Sequence, residues 1–332
     1  MKSTMKTIFA VAAAVALNTA FSAGSALAAP QTAKGAANVA ASASQVYNRT
    51  LEVDGVKIFY REAGNPSAPT IVLLHGFPSS SHSFRNLIPQ LATRFHVIAP
   101  DYPGYGYSDV PSRDKYAYTF DHLAQTMDSF LQKVGASSYI LYMHDFGGPV
   151  GYRIATAHPE RVRGLVVQNA NAHEEGLSPA LGHSRDLWAN RNAETEAHVR
   201  GAFSPEGIKW QYLTGANDPA TMTRDGYSFD TPLMQRPGQD AIQLDLIESY
   251  KTNVALYPQW QTWLKTAQPK TLIVWGAGDP LFTVEGAYGV KRDVPAAKLV
   301  TYKAGHFLLE EYADDVAKQI LLNFDAKRNV KP

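Results

Sequence analysis

Four short apolar runs, at residues 70–74, 96–99, 139–143 and 164–168, recur in this chain with almost no polar alternation inside them. A strand that shows one face to water alternates apolar and polar side chains, so uninterrupted runs of this length suit strands buried on both faces. Between them, residues 84–92, 121–134 and 148–157 carry apolar side chains at helical spacing. Strand and helix in alternation predict an α/β fold, a mostly parallel, doubly wound sheet with crossover helices on its faces. Ahead of the first run, residues 50–53 and 56–60 flank Asp54-Gly55, a pair that accepts positive φ in a two-residue hairpin turn. An antiparallel edge is expected there.

The alternation pauses after Asn169 and resumes at 271–275 and 298–302, followed by a last helix near 311–324. The interval reads as helical. Ser204-Pro205-Glu206 offers an N-cap, a proline for the first helical position and an acid suited to the helix dipole. Ile242, Leu246, Tyr250, Val254 and Tyr257 recur on one side of another helix. Residues 171–264 are therefore expected to form an inserted helical cap over the C-terminal edge of a core made of 47–170 and 265–332. No internal repeat is visible.

Lys2 and Lys6 precede an apolar run that ends in small residues at Ala26-Leu27-Ala28, before Ala29-Pro30. That is the form of a signal peptide cut after Ala28, and the run is shorter than the ~20 residues needed to span a bilayer. Export to the periplasm or beyond is expected, with 29–46 a flexible lead-in rich in Ala, Ser, Gln and Gly. The chain has no cysteine, which excludes a disulfide scaffold and thiol catalysis. Its 332 residues carry a net charge of only +1, with Lys and Arg scattered, so neither nucleic acid nor a membrane surface is an expected partner. A small apolar molecule and water are, acting on a monomer or homodimer.

Chemistry concentrates where buried runs end. Asp145, in His144-Asp145-Phe146-Gly147-Gly148, stands between a strand and a helix, where a sharp turn projects the central residue from the sheet. An Asp there also makes an ordinary N-cap. Its company favours the first reading: His75-Gly76-Phe77-Pro78 follows the run 70–74, and the backbone amides of Phe77 and Phe146 are placed as oxyanion donors. Asp279 follows the run 271–275 and His306 the run 298–302, each suited to complete a triad. Glu174 and Glu175 are alternative partners for the histidine, with Asp279 in the better local frame. His144 reads as a packed neighbour and Arg153 as a solvated or paired cation. No helix groups His and acidic residues as a metal site would, and Gly104-x-Gly106 lacks the third glycine of a dinucleotide fingerprint, so no metal or cofactor is expected.

With these motifs in this order, the chain resembles the α/β-hydrolase superfamily, and within it the epoxide hydrolase and haloalkane dehalogenase branch. The resemblance runs from about Tyr47 to the last helix and includes Asp101-Tyr-Pro-Gly-Tyr-Gly-Tyr-Ser-Asp109. It departs at Met143, where the fold usually has a small residue two before the nucleophile. A carboxylate nucleophile suits displacement at an sp³ carbon, giving an alkyl ester that a histidine-activated water then cleaves. Attack on an ester would give an anhydride with little gain. Dehalogenases of this branch usually place Trp after the nucleophile and fluoroacetate dehalogenases place arginines near it; here Phe146 and Pro149 stand instead. The resemblance thus implies an epoxide substrate, opened with help from cap tyrosines. The cap offers Tyr212, Tyr227, Tyr250 and Tyr257, with Tyr250 favoured and Tyr212 as second donor. A hydrolytic dehalogenase and a non-catalytic binding protein are the alternatives.

Overall fold

The computed structural model of the protein describes residues 45–324. The expected signal peptide, and the expected lead-in up to residue 44, lie outside the described residues. Strands β1 (Val46–Val53) and β2 (Val56–Ala63) form the expected hairpin, longer than the sequence suggested. Its turn residues Asp54 and Gly55 have φ of 52° and 81°, and Val53 sits opposite Val56. Two positive φ values match the right-handed twist of the flanking strands.

The remaining strands are β3 (Thr70–Leu74), β4 (His96–Pro100), β5 (Tyr139–His144), β6 (Val162–Gln168), β7 (Thr271–Gly276) and β8 (Lys298–Tyr302). The sheet runs β1-β2-β4-β3-β5-β6-β7-β8, with β1 and β2 antiparallel to their neighbours and all pairings from β4 to β8 parallel. Every residue of β4, β5 and β7 is buried, which is why those runs lack polar alternation.

The helices placed from the sequence are found except at one position. Residues 84–92 form no single helix: a 3₁₀ turn, Ser81–Phe84, precedes the one-turn α1 (Ile88–Leu91). Pro89 fits the first turn of a helix but not its interior, so the helix can only begin beside it. Helix α2 (Phe120–Lys133) starts at Thr119, whose hydroxyl accepts the His122 N–H, and α3 (Gly147–Ala157) follows β5 directly.

Between β6 and β7 the chain makes two 3₁₀ turns and then α4 (Gly182–Ala189), α5 (Ala193–Arg200), α6 (Pro205–Leu213), α7 (Asp225–Met234) and α8 (Gln239–Ala267). Ser204 caps α6 by accepting the Gly207 N–H. The helical part starts at Gly182, because Leu177 bridges to Phe282 and ties the first turns to the β7 exit. Helices α9 (Val284–Asp293) and α10 (Leu309–Phe324) complete the core.

One face of the sheet is covered by α1 and α10, with Leu91, Val316 and Ile320 packed with Ile71 and Val97. The other carries α2 and α3, and its apolar interior continues without a break into Leu246, Tyr257 and Trp260 of the cap. The C-terminal strand ends face that junction. Among the described residues no helix is long and apolar enough to cross a membrane.

Candidate active site

Asp145 follows the last residue of β5 and has φ of 51°, the left-handed region that side chains with a Cβ seldom adopt. The turn holds because neighbouring backbone comes close enough to fix it. A Cβ on Gly147 would fall 2.1 Å from the Leu74 carbonyl oxygen, so α3 packs on β3 only with glycine there. A Cβ on Gly76 would meet the Asp145 Cβ at 2.3 Å, which makes glycine the residue that lets the β3 loop reach the carboxylate. Met143 finds its room at Gly151: a Cβ there would lie 2.4 Å from the Met143 Sδ. The departure two residues before Asp145 is thus matched by a missing side chain one turn into α3.

The carboxylate meets the expected donors. The Phe77 N–H donates to Asp145 Oδ1 at 2.7 Å, and the Phe146 N–H also bonds the carboxylate. Oδ2 faces His306 Nε2 at 3.6 Å, beyond a direct hydrogen bond, and that buried Nε2 has no hydrogen-bond partner within the protein. The other ring nitrogen, Nδ1, bonds Asp279 Oδ2 at 2.7 Å. Asp279 Oδ2 also accepts from Asn169 Nδ2 (2.7 Å), and its Oδ1 accepts the Leu281 and Phe282 N–H groups (2.8 and 3.1 Å). Asp279 therefore acts as an acceptor only, which puts a His306 proton on Nδ1 and leaves Nε2, the nitrogen that gains and loses the second proton, facing Asp145.

Surrounding groups fix this geometry. Asn169, with φ of 42°, clamps β6 to β7 through its side-chain bonds with Gly276. His144 donates from Nε2 to the His306 carbonyl (3.1 Å), and burial drives its pKa far down, so it is neutral. His75 donates to the Gly76 carbonyl and accepts the Tyr102 N–H, with burial lowering its pKa to about 3. It thereby ties the Phe77 loop to residues 101–109. That second loop is held by buried Asp101, which accepts the Ser81 and Tyr107 N–H groups.

Burial pushes the Asp145 carboxyl up to about 6, against the opposing pull of His306 and the Phe77 and Phe146 amides. Burial acts the other way on His306, but the charge and hydrogen bond of Asp279, with the charge of Asp145, raise it above its ordinary value. Each group favours the charged form of the other.

A cavity of about 320 Å³ opens over the carboxylate, lined by Asp145, Phe77, Phe146, Trp188, Tyr250 and Phe282 among others. Its walls are mainly apolar. Tyr250 is on it, as expected, with its ring stacked on Trp188 at 5.5 Å. Tyr212 is not. Its hydroxyl donates to Asp230 Oδ2 at 2.6 Å and its ring stacks on Phe307 at 3.7 Å, so the expected second donor is spent on packing the cap. Tyr257 lies behind Tyr250, and Tyr227 packs edge-on against Tyr212. Glu175 pairs with Arg292 and Glu174 is exposed, so neither replaces Asp279. Arg153 is engaged by Asp121, Asn253 and Thr252.

Sequence reasoning missed Trp188, whose indole N–H donates to the Ile247 carbonyl at 2.6 Å, as well as Asn169, Asn171 and Asp230. An Asn just past a buried strand, tolerant of left-handed backbone, was the available signal for Asn169. Among the described residues no three His, Cys, Asp or Glu side chains converge as a metal site.

Comparison with known proteins places this geometry in context. A family model described as the α/β hydrolase fold matches residues 69–313. An uncharacterised hydrolase of Saccharomyces cerevisiae is 40% identical over 275 residues, covering 82% of this chain and 94% of its own. A haloalkane dehalogenase of Bradyrhizobium diazoefficiens is 38% identical over 307 residues, covering 82% and 92%. Epoxide hydrolase A of Mycobacterium tuberculosis is 36% identical over 177 residues, covering 53% and 52%.

Proposed function

The chain belongs to the α/β hydrolase fold family and is a hydrolase, and from that membership we propose that it opens epoxides to vicinal diols through a covalent ester on Asp145. The observation that carries this reading is the shared cavity of Asp145 and the buried phenol of Tyr250. An opening epoxide generates an alkoxide, a poor leaving group that needs a proton or hydrogen bond as it forms, and a phenol supplies one at neutral pH.

In the first half-reaction Asp145 Oδ2 attacks an epoxide carbon. The ring C–O bond breaks and the oxygen takes the Tyr250 proton. Oδ1, already held by the Phe77 N–H, becomes the ester carbonyl. Forming the ester removes the Asp145 charge that helps raise His306, so the histidine pKa falls just when a base is needed. In the second half-reaction His306 Nε2 takes a proton from water, whose oxygen attacks the Asp145 Cγ. The Phe77 and Phe146 amides hold the oxyanion, and the diol leaves. Cleavage of the ester releases one net proton, which restores Tyr250.

A second reading, hydrolytic dehalogenation, is favoured by the dehalogenase relative, which matches most of the chain. A departing halide needs N–H donors aimed at it. Phe146 offers none from its side chain, and the Trp188 indole N–H is turned to the Ile247 carbonyl. The test is a panel of epoxides and chlorinated or brominated alkanes run on wild type and Asp145→Asn. Diol formation by wild type alone is expected. Halide release with every epoxide inert would reverse the ranking.

A further inference from the structure

The Tyr250 hydroxyl lies 3.2 Å from that of Tyr257, and both phenols are buried. Seven residues apart on α8 is about two turns, so the two rings share a helix face. Beyond Tyr257 stands Asn171, just past β6, with Nδ2 3.5 Å from the Tyr257 oxygen. The orientation of that amide is set independently: Oδ1 accepts the His173 N–H at 3.3 Å, and Nδ2 donates to the His173 carbonyl at 2.6 Å. Two glycines shape its seat, since a Cβ on Gly176 or Gly286 would fall 2.3 or 2.6 Å from Asn171 Oδ1.

These bonds have a direction. An amide nitrogen only donates, so the Tyr257 oxygen accepts from Asn171. Among the described residues the Tyr250 oxygen is the one acceptor within reach of the Tyr257 proton, so that proton is bonded only if it goes to Tyr250, which leaves the Tyr250 O–H free to enter the cavity over Asp145. We infer that Tyr257 is a positioning residue: Asn171, Tyr257 and Tyr250 form a one-way chain of donors that aims the Tyr250 proton at the oxygen of an opening ring. The inference rests on the proposed role of Tyr250. As that proton leaves, the Tyr257 O–H stays on Tyr257 and hydrogen-bonds the new phenolate, so no other proton moves.

The chain can be reversed by an isosteric change. In Asn171→Asp a carboxylate oxygen accepts the Tyr257 proton, and the Tyr257 oxygen in turn takes the Tyr250 O–H away from the cavity. The experiment is rapid-quench measurement of the alkylation rate in single turnover, with styrene oxide and with 1,2-epoxy-3,3,3-trifluoropropane, whose alkoxide is a better leaving group. Melting temperatures accompany each variant. Tyr257→Phe is expected to slow alkylation of styrene oxide about tenfold, less for the trifluoro epoxide, with substrate affinity little changed. Asn171→Asp is expected to be slower still, and Asn171→Asp/Tyr257→Phe to recover to the rate of Tyr257→Phe alone, because without Tyr257 nothing relays the reversal. Should Asn171→Asp not fold, the decisive comparison is Tyr250→Phe/Tyr257→Phe, expected to equal Tyr250→Phe. A wild-type rate in Tyr257→Phe, a double variant slower than either single one, or additive losses at the two tyrosines would overturn the chain while leaving Tyr250 as donor. An undiminished rate in Tyr250→Phe would remove the donor itself, and with it the epoxide reading.

Discussion

Asp145 is held in an unfavourable state twice over, by a left-handed backbone and by burial that lifts its carboxyl from 3.8 to about 6. The folded pKa lies above the unfolded one, so between those values the folded state binds more protons than the unfolded state. Stability attributable to this group is therefore greatest at low pH and falls as pH rises through about 6. Asp145→Asn, which keeps an acceptor for the Phe77 N–H, is expected to melt at a higher temperature than wild type at pH 7.5, by the equivalent of about 1–3 kcal/mol. That advantage should shrink in acid. Calorimetry at pH 7.5 and in acid checks it, and a lower melting temperature at pH 7.5 would contradict it. The proposed catalysis runs the opposite way, since in it only the carboxylate attacks: the alkylation rate is expected to fall as pH drops below about 6, with the slope of a single proton. Asp145 and Asp279 were legible because each follows a fully buried apolar run, and His306 because it follows β8, a shorter and only partly buried run; the end of a strand is a place sequence can locate. Tyr212 was misread for the complementary reason. Helical spacing tells which face a tyrosine occupies, but its partner Asp230 arrives from another helix, and nothing in local spacing marks an Asp that ends fully buried.

At the scale of elements, the Asp145 turn depends on how closely α3 approaches the strands. Met143 and Gly151 occupy one volume between β5 and α3, so Gly151→Ala pushes a Cβ into the Met143 thioether, 2.4 Å away. Gly151→Ala is expected to destabilise by about 1–3 kcal/mol and to cut turnover by shifting Asp145 away from His306. Shortening Met143 to Ala in the same chain should restore part of both, as read by urea unfolding and steady-state rates; strictly additive losses would contradict shared packing. Strands β3 to β8 were legible to within two residues, and complete burial, as in β4, β5 and β7, writes a continuous apolar run; the mostly exposed β1 begins four residues before the expected position. Residues 84–92 misled because apolar spacing continues through Pro89, where the backbone cannot continue a helix.

Across the whole molecule the cap is joined to the core around the cavity rather than hinged at one point. Tyr105 donates to Gln243, Gln239 and Arg236 donate to the Gly104 carbonyl, and Arg153 binds Asn253 and Thr252. The pause in strand alternation is where the helices between β6 and β7 stand. Their contacts were not legible, since they join residues more than 90 positions apart. Export belongs to this scale too: N-terminal sequencing of protein recovered from the periplasm or medium should begin at Ala29, and an intact Met1 on cytoplasmic protein would contradict the signal-peptide reading. The central claim, a covalent ester on Asp145, is tested most directly by one turnover of excess unlabelled enzyme with an epoxide in ¹⁸O water. The diol should carry no ¹⁸O after that first turnover, with the label instead in the Asp145 carboxylate. A diol labelled by solvent in the first turnover would contradict it.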